Sequence, residues 1–378
     1  MAKLGDICEI LNGFAFKSEK YVPEGIRIIR IANVQKGYID DSAPVFYPMD
    51  TEGIEKYYLQ ENDLLISLTG NVGRVALLKK EFLPAALNQR VACLRLKPNL
   101  PFIKEFLYVF LNSDYFENKC IESSNGVAQK NMSTEWLKSY EIPDFDLNKQ
   151  FEIVNILSKV DELIQQRKKQ LLKLDELVKS RFIELFGDCK NMVAINDLCS
   201  IITDGTHQPP EFQSQGIPFI FVSNLANNTV TYNAEKFISE ETYNDLIKRT
   251  PIEIGDILLT TVGSYGHPAV VVEERKFLFQ RHIAYLKPKH DLVNSFYLHS
   301  ALLAPDGQRQ IEEKVKGIAQ KTLNLSEIRK IMIPIPSIEE QNTFELFIKQ
   351  ADKSKLAIQK SLEQLETLKK SLMQQYFG

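Results

Sequence analysis

The side chains best suited to chemistry in this sequence lie in two glycine-bracketed segments. Segment 70–74 reads GNVGR and segment 263–267 reads GSYGH, and each follows an apolar run typical of a β-strand. Glycines let a backbone approach a ligand closely, and polar side chains between them can bond to bases or phosphates. The pattern predicts a DNA-facing loop, with a plain β-turn as the alternative. The candidate contact residues are Asn71, Arg74, Ser264, Tyr265 and His267.

Two Gln-Arg pairs recur without change, at 89–90 and at 280–281. Arginine and glutamine are side chains that bind guanine edges, adenine edges or phosphates. Because both pairs are the same, contact with phosphates is favoured over base reading, and an internal polar bridge is the alternative. The residues concerned are Gln89, Arg90, Gln280 and Arg281.

A Gln-Lys pair also occurs twice, as Gln129-Lys130 and Gln320-Lys321, shortly before a predicted helix start. Helix N-termini bind phosphate groups through their free N–H donors. Lys130 and Lys321 are therefore candidate phosphate contacts, and a solvated cap loop is the alternative.

Segment 204–210 reads DGTHQPP and contains a histidine that invites a catalytic or metal interpretation. No second His or Cys lies nearby in the sequence, so this interpretation is disfavoured. Thr206 and His207 are instead candidate DNA contacts, and an ordered surface loop is the alternative.

The usual signatures of catalysis are missing from the sequence. It contains no Walker motif, no dinucleotide-binding fingerprint and no Gly-x-Ser-x-Gly elbow. The five cysteines form neither a CxxC motif nor a Cys/His cluster, which argues against a disulfide framework and a structural zinc. We therefore expect no catalytic residue, no metal and no cofactor in this chain.

Composition limits the class of protein. The chain has 378 residues, 44% hydrophobic and 25% charged, which is ordinary for a globular protein of two or three domains. The formal net charge of −3 counts against a uniformly basic nucleic-acid binder, so any DNA-binding surface must be local. The sequence shows no membrane-spanning apolar run and no signal-peptide apolar region, which predicts a cytoplasmic protein.

Two long segments must position these loops. Residues 147–186 contain no Pro and no Gly, and apolar residues recur every seven positions, which indicates a coiled-coil helix roughly 60 Å long. The stripe consists of Leu157, Ile164, Leu171, Leu174, Val178 and Leu185, with Arg167 and Arg181 as interruptions.

A second segment, 342–376, has the same character and offers a partner for that stripe. Its apolar positions include Ile348, Ile358, Leu362, Leu365 and Leu372, with Lys355 and Lys369 as interruptions. Two such helices at a fixed offset favour an intramolecular antiparallel coiled coil over two unrelated core helices.

The offset between the two segments is 191 residues and extends over the whole chain. It relates Pro143 to Pro334 and Gly187 to Gly378, and it drifts by two in the middle, where segment 62–65 matches 255–258. The chain is therefore a tandem duplication. In the first copy, strands near 27–31, 64–68, 75–78 and 91–96 precede a helix over 102–118, which indicates an α+β class. The fold predicted is two β-rich domains in tandem, each followed by a long helix.

The duplicated motifs resemble those of a known family. They are segment 12–17 (NGFAFK), segment 204–207 followed by Pro209, the twin Gly-x-Ala-Gln-Lys segments and the Ile-Pro before each long helix. Their order over essentially the whole chain resembles the specificity subunit of type I restriction-modification systems.

That resemblance implies a division of labour along the chain. Target-recognition domains at 1–146 and 188–337 would each read one half of a split, asymmetric site in double-stranded DNA. Spacer helices at 147–187 and 338–378 would set the spacing and dock two modification (methyltransferase) subunits, which carry the S-adenosylmethionine. A restriction subunit, where present, would add ATP and Mg. The alternative function is a coiled-coil interaction adaptor without DNA specificity.

Overall fold

The computed structural model describes residues 1–124, 131–317 and 321–377, so Gln129, Lys130 and Gln320 lie outside the described residues. The chain forms two compact units. Unit 1 comprises Met1–Arg167 with Ser361–Gly378, and unit 2 comprises Lys168–Lys360. Within the described ranges, no helix has the length and apolarity needed to cross a membrane.

Unit 1 is built from short strands followed by helices. In chain order these are β1 (Ala2–Lys3), α1 (Leu4–Ile7), β2 (Cys8–Asn12), β3 (Ile26–Ile29), β4 (Val34–Gln35), β5 (Tyr38–Ile39), β6 (Phe46–Tyr47), β7 (Leu64–Ser67), β8 (Val75–Leu77), β9 (Ala85–Leu87), β10 (Val91–Leu96), α2 (Lys104–Leu111), α3 (Asp114–Ser123), α4 (Thr134–Ser139) and β11 (Glu141–Ile142). The long helix α5 (Leu147–Phe186) follows and continues into unit 2.

Unit 2 repeats this order with two differences. Its elements are β12 (Met192–Ala194), α6 (Ile195–Leu198), β13 (Cys199–Asp204), β14 (Ile217–Ile220), β15 (Phe237–Ile238), α7 (Glu240–Leu246), β16 (Ile257–Thr260), β17 (Pro268–Val270), β18 (Leu278–Phe279), β19 (Ile283–Pro288), α8 (Ser295–Leu303), α9 (Pro305–Lys314), α10 (Leu325–Ile328) and β20 (Met332–Pro334). Helix α7 precedes β16, and the described part of unit 2 has no counterpart of the β4–β5 pair. The second long helix, α11 (Ile338–Phe377), ends in unit 1.

The sheets of the two units have the same strand order. An antiparallel four-stranded sheet runs β2-β10-β7-β8 in unit 1 and β13-β19-β16-β17 in unit 2. A three-stranded sheet runs β6-β3-β9 in one and β15-β14-β18 in the other, with one parallel pair in each. The predicted α+β fold, two β-rich domains each followed by a long helix, is confirmed.

Both faces of the four-stranded sheet are buried. On β7, Leu64 and Ile66 pack against the helices, whereas Leu65 packs toward the three-stranded sheet. Unit 2 does the same with Leu259 on one face and Leu258 on the other. Because successive side chains of a strand point to opposite faces, a doubly covered sheet needs continuous apolar runs, as the sequence has.

The stretch 102–118, which has helical spacing in the sequence, does not form one continuous helix. The structure has two helices there, α2 and α3, which meet at Asn112 and Ser113. The Ser113 hydroxyl accepts a hydrogen bond from the Phe116 N–H at 3.1 Å and so caps a new helix. Apolar spacing continues through the break, which is why the pattern did not reveal it.

Side-chain caps fix the starts of both long helices. Asp146 accepts a hydrogen bond from the Lys149 N–H at 2.9 Å at the start of α5. At α11, Ser337 and Glu340 form a reciprocal capping box, with the Glu340 carboxylate 2.9 Å from the Ser337 N–H. This box starts α11 at Ile338, before the apolar repeat that began at residue 342 in the sequence.

The two long helices pack together and run antiparallel. In unit 1, Lys369 Nζ lies 2.6 Å from Asp161 Oδ1, and in unit 2, Lys355 Nζ lies 2.7 Å from Asp175 Oδ1. In unit 1, Arg167 Nε also donates to Ser361 Oγ at 3.2 Å, and in unit 2, the Phe182 and Phe344 rings lie 5.6 Å apart. Within each unit, residue numbers therefore rise along α5 as they fall along α11. The two lysines that interrupt the apolar stripe are therefore ion-paired across it.

Most predicted stripe residues face inward. Leu157, Ile164 and Ile348 are buried. The remaining positions are half-buried, namely Leu171, Leu174, Val178, Ile358, Leu362, Leu365 and Leu372.

The prediction that Leu185 belongs to this stripe is wrong, since its side chain is 46% exposed. Phe182 and Phe186 are buried in its place, each within 5.6 Å of the Phe344 ring by centroid distance. A straight helix drifts from a seven-residue repeat. Near its end α5 therefore packs into the unit 2 core through a different pair of positions.

A buried glutamine joins each long helix to its own unit. Gln150 accepts a hydrogen bond from the Ile103 N–H at 2.9 Å and donates to the carbonyls of Pro101 and Phe145 at 2.8 and 2.7 Å. Gln341 makes the equivalent bonds to Asn294, Leu292 and Pro336. Both side chains are fully buried.

Replacing Gln150 with Leu should lower the free energy of unfolding by about 1–3 kcal/mol, because three backbone groups lose their partner. Urea denaturation followed by circular dichroism measures this. Gln165→Leu, at an exposed position of the same helix, is the control and should change stability by less than about 0.5 kcal/mol. Equal stability of the two variants would contradict the role assigned to Gln150.

Equivalent buried aspartates have different partners in the two units. Asp63 forms a bidentate pair with Arg95, with N–O distances of 2.8 and 2.6 Å. Asp256 instead accepts a hydrogen bond from the Tyr285 hydroxyl at 2.7 Å and lies 3.5 Å from Lys287 Nζ. Burial raises the pKa of Asp256 above 3.8, although the Tyr285 hydroxyl and the Lys287 ammonium oppose this rise.

The raised pKa makes the contribution of Asp256 to stability largest in acid, and this contribution falls as pH rises through the folded-state value. Asp256→Asn cannot ionise, so its stability relative to the wild type should improve as pH rises from below 3.8 toward 7.

Asp63→Asn should lower the free energy of unfolding by about 3 kcal/mol at pH 7, because it leaves Arg95 without its carboxylate. Urea midpoints across this pH range test both, and a pH-independent Asp256→Asn difference would contradict the first.

Candidate nucleic-acid interface

One end of the four-stranded sheet gathers the loops that carry the predicted contact residues. In unit 1, β10 begins at Val91, opposite Ser67 at the end of β7, and Ala92 faces Asn12, the last residue of β2. The segment after β2, the segment before β10 and the turn from β7 to β8 therefore lie together.

Backbone hydrogen bonds continue beyond the strands at this end. The Phe14 N–H donates to the Leu87 carbonyl at 2.8 Å, and the Phe14 carbonyl accepts from the Gln89 N–H at 3.0 Å. The Leu68 N–H donates to the Arg90 carbonyl at 3.0 Å. These bonds fix the loop backbones independently of their side chains.

Unit 2 has the same framework. The Thr206 N–H donates to the Phe279 carbonyl at 3.0 Å, and the Thr206 carbonyl accepts from the Arg281 N–H at 3.1 Å. The Thr261 N–H donates to the His282 carbonyl at 2.9 Å, as the Leu68 N–H does to the Arg90 carbonyl in unit 1. Predicted segments 204–210 and 280–281, far apart in sequence, are thereby neighbours.

A glycine is required where these segments cross. A Cβ atom on Gly13 would overlap the carbonyl groups of Leu87 and Asn88. One on Gly205 would overlap the carbonyl oxygens of Phe279 and Gln280. The glycines of the NGFAFK and DGTH motifs therefore permit this close backbone approach.

The glycine-bracketed segments are tight turns that expose one part of their predicted set. Asn71 and Ser264 lie at the surface. Arg74 instead donates to the Gln35 side chain, and His267 Nδ1 lies 3.0 Å from Asn228 Oδ1. Each segment is therefore a β-turn that also exposes a polar side chain. Arg74 and His267 are hydrogen-bonded to residues of their own unit.

The Gln-Arg pairs lie at the surface of the same sheet end. Gln89, Arg90 and Arg281 are exposed, and Gln280 is half-buried. The Arg281 Nε–H donates to His282 Nε2 at 3.3 Å, and burial followed by this guanidinium lowers the pKa of His282. His282 is therefore neutral near pH 7 and leaves the positive charge to Arg281.

Lys321 is held in a small polar cluster. Its ammonium lies 3.0 Å from Glu312 and 3.3 Å from the Tyr265 hydroxyl, which itself donates to Glu312. The bond to Glu312 raises the pKa of Lys321, and the bonds from Tyr265 and Lys321 lower the pKa of Glu312. The cluster joins the glycine turn to the Gln-Lys segment, whose other copy, Lys130, lies outside the described residues.

His207 is exposed and belongs to a second polar cluster. His207 Nε2 lies 3.0 Å from Asp204 Oδ2, and Arg249 Nη2 donates to Asp204 Oδ1 at 2.6 Å. No group of three or more His, Cys, Asp or Glu side chains suited to a metal ion occurs in ranges 1–124, 131–317 and 321–377.

Arg249 and Glu312 are functional candidates that the sequence motifs did not indicate. Arg249 follows α7 in a short 3₁₀ turn, forty-five residues from Asp204. Glu312 lies on α9. Neither residue belongs to a repeated motif; the duplication places Ile121 at the position of Glu312, for example. Folding brings both residues to this end of the sheet.

The family described as "Type I restriction modification DNA specificity domain" matches residues 1–174 and again residues 188–369. The EcoBI specificity subunit of Escherichia coli is 25% identical over 414 residues, covering 99% of this chain and 84% of the relative. The putative MjaX specificity subunit of Methanocaldococcus jannaschii is 25% identical, covering 98% and 91%. The E. coli EcoAI specificity subunit is 40% identical over 169 residues, covering 43% and 28%.

Solved structures share the fold. The S subunit of a type I system from M. genitalium aligns with a TM-score of 0.54 at 17% identity, covering 100% of this chain and 95% of that one. A chain from a study of type I R-M complex assembly gives 0.63 at 16% identity, covering 100% and 96%. Since the family match falls on both copies and spans most of the sequence, this chain belongs to the type I restriction-modification DNA specificity family, as a non-catalytic specificity subunit.

Proposed function

We propose that each unit reads one half of a split, asymmetric DNA site with the loops at the end of its four-stranded sheet. The supporting observation is that the two units share one backbone framework there but carry different side chains on it. In the turn from β7 to β8, Asn71 and Arg74 stand where Ser264 and His267 stand in unit 2. Equal frameworks with unequal side chains suit two unlike half-sites.

Contacts with the phosphate backbone fall to the side chains that the two units have in common. Arg90 and Arg281 are both exposed beside the glycine crossing. They are one residue apart in the shared framework, since Arg281 makes the backbone bond that Gln89 makes in unit 1. Their positive charge suits phosphates, which are the same at every base pair and position the protein without reading sequence. Lys321 has the same task once Glu312 releases it, and Lys130 is its counterpart.

The paired helices serve as the spacer between recognition domains 1–146 and 188–337. Half-site spacing in DNA readers is a geometric property of the protein, and a helix pair crossed by ion pairs is stiff. The helices also carry exposed leucines outside their stripe, including Leu172 at 65% and Leu356 at 54% exposure. Exposed apolar groups on a helix suit a partner protein.

The partners in this scheme are two modification subunits, recruited by the duplicated chain. Those subunits supply S-adenosylmethionine and the methyl transfer. A restriction subunit, in systems that include one, supplies the ATP- and Mg-dependent steps. This chain contributes the DNA sequence specificity.

A domain exchange tests the recognition scheme. Replacing residues 1–140 with those of a family member of different specificity should change one half of the methylated motif and leave the other half and the spacing unchanged. Methylation-sensitive sequencing of DNA from cells that carry the assembled complex measures the motif. The reciprocal exchange of 188–337 is the matched control and should change the other half. A motif unaltered by both exchanges rules out modular half-site reading.

Adjacent leucines on α5 separate packing from docking. Leu171→Asp places a charge in the half-buried stripe and should destabilise the chain by about 2–3 kcal/mol. Leu172→Asp, one position on and exposed, should leave the unfolding midpoint unchanged and weaken binding of the modification subunit. Urea denaturation and gel filtration with that subunit measure the two effects. Undiminished complex formation by Leu172→Asp would remove this face from the docking surface.

A further inference from the structure

We infer that Arg249 is a base-reading residue of unit 2, which binds a guanine of the target through its guanidinium, with Asp204 as the positioning residue that holds it. The inference deepens the proposed function and rests on it. It adds a specific side chain and a specific base to half-site reading.

The geometry around Arg249 is that of a held donor group. Asp204 accepts from Nη2 at 2.6 Å, and His207 Nε2 lies 3.3 Å from the same nitrogen. The Asp204 side chain is 17% exposed, whereas that of Arg249 is 52% exposed. In the described part of the chain Nε and Nη1 have no hydrogen-bond partner, so an oriented guanidinium keeps donors for a ligand. Arginine binds the O6 and N7 atoms of guanine through Nη2 together with Nη1 or Nε. Nη2 has two N–H bonds, so the one that is not directed at Asp204 can act beside Nη1 or Nε.

The cleft that Arg249 borders favours a base over a phosphate. It is an open cleft of about 1250 Å³ between segment 205–211 and the α7 region. Its charged lining includes Glu211, Glu241 and Asp245 against Lys248 and Arg249. A phosphate would meet more carboxylates than cations there, and Asp204 further offsets the charge of the arginine. A neutral base edge is not repelled in this way.

The same place in unit 1 has different chemistry on the same backbone. Phe14 makes the backbone bonds that Thr206 makes in unit 2. Its ring lies 5.1 Å from those of Phe16 and Tyr57 by centroid distance. An aromatic cluster thus occupies the position of the Asp204, His207 and Arg249 cluster. The same backbone framework thus presents aromatic rings in unit 1 and a carboxylate-bound guanidinium in unit 2. Two different half-sites require such a difference in side-chain chemistry.

The test uses the full chain assembled with its modification subunits. Binding is measured for duplexes in which each base pair of the wild-type motif is replaced in turn, at several salt concentrations. Wild-type complex should lose roughly 10- to 100-fold in affinity when one guanine of the second half-site is replaced. Arg249→Gln should lose this discrimination at that position alone, with the salt dependence unchanged.

Two further variants act through the same contact. Asp204→Asn keeps the guanidinium but removes its charged support, so discrimination at that guanine should fall in part and no other position should change. Arg249→Lys keeps the charge and can pair with Asp204 but lacks the planar two-donor edge, so it should behave like Arg249→Gln. It also covers the case in which the glutamine variant does not assemble.

Arg275→Gln is the matched control, since Arg275 is an exposed arginine of the same unit that lies over the Tyr232 ring, in the loop that follows β17. This variant should keep the wild-type base preferences. Full discrimination by both Arg249 variants would overturn the inference. So would a uniform loss of affinity with a shallower salt dependence, which would assign Arg249 to a phosphate. A wild-type complex without any sequence preference would overturn the proposed function itself, which is a different result.

Discussion

The backbone crossing beyond the end of the four-stranded sheet is the constraint on which the candidate site depends. Gly13 and Gly205 lie against carbonyl groups of the strand that precedes each Gln-Arg pair, at a distance that no side chain could tolerate. The bonds made by Phe14 and Thr206 then fix both crossing segments. Since these bonds involve main-chain atoms, the exposed side chains can differ without moving the loops.

A second constraint carries this geometry to the long helices. Gln150 and Gln341 are buried and bond to backbone groups of their own unit on three sides. A glutamine in this position satisfies polar groups that would otherwise be buried without partners. The start of each long helix is thereby tied to the domain that it follows, and the capping residues set the residue at which it begins.

Sequence periodicity predicted the parts of the fold that repeat. Seven-residue spacing found the long helices, and the fixed offset found the duplication, because both patterns are imposed by local geometry over many residues. Leu185 and the break at Ser113 escaped prediction for the opposite reason. Each depends on one local event, a helix drifting off its repeat or a hydroxyl capping a new turn, that leaves the apolar pattern intact.

The candidate site divides in the same way. The repeated Gln-Arg pair in the sequence pointed to Arg90 and Arg281 as candidates. Arg249 could not be found in this way, because it lies in a segment whose sequence differs between the two copies. A residue that reads a particular base belongs to one half-site, so comparison of the two copies cannot reveal it. In the proposed scheme, repetition gives the candidates for phosphate contact, whereas the folded geometry gives the candidates for base contact.

Charge explains how an acidic chain can present such a site. The net charge of −3 counts against a broadly basic surface. Two of the described cations at the sheet end of unit 2 are partly neutralised, Lys321 by Glu312 and Arg249 by Asp204. Neutralised cations add little to non-specific attraction, which grows with the number of phosphates a protein pairs. A guanidinium held by a carboxylate still offers its donors to a base edge. In the proposed scheme, the carboxylates therefore lower the affinity for DNA of any sequence more than the affinity for the correct base. This raises the ratio of specific to non-specific affinity.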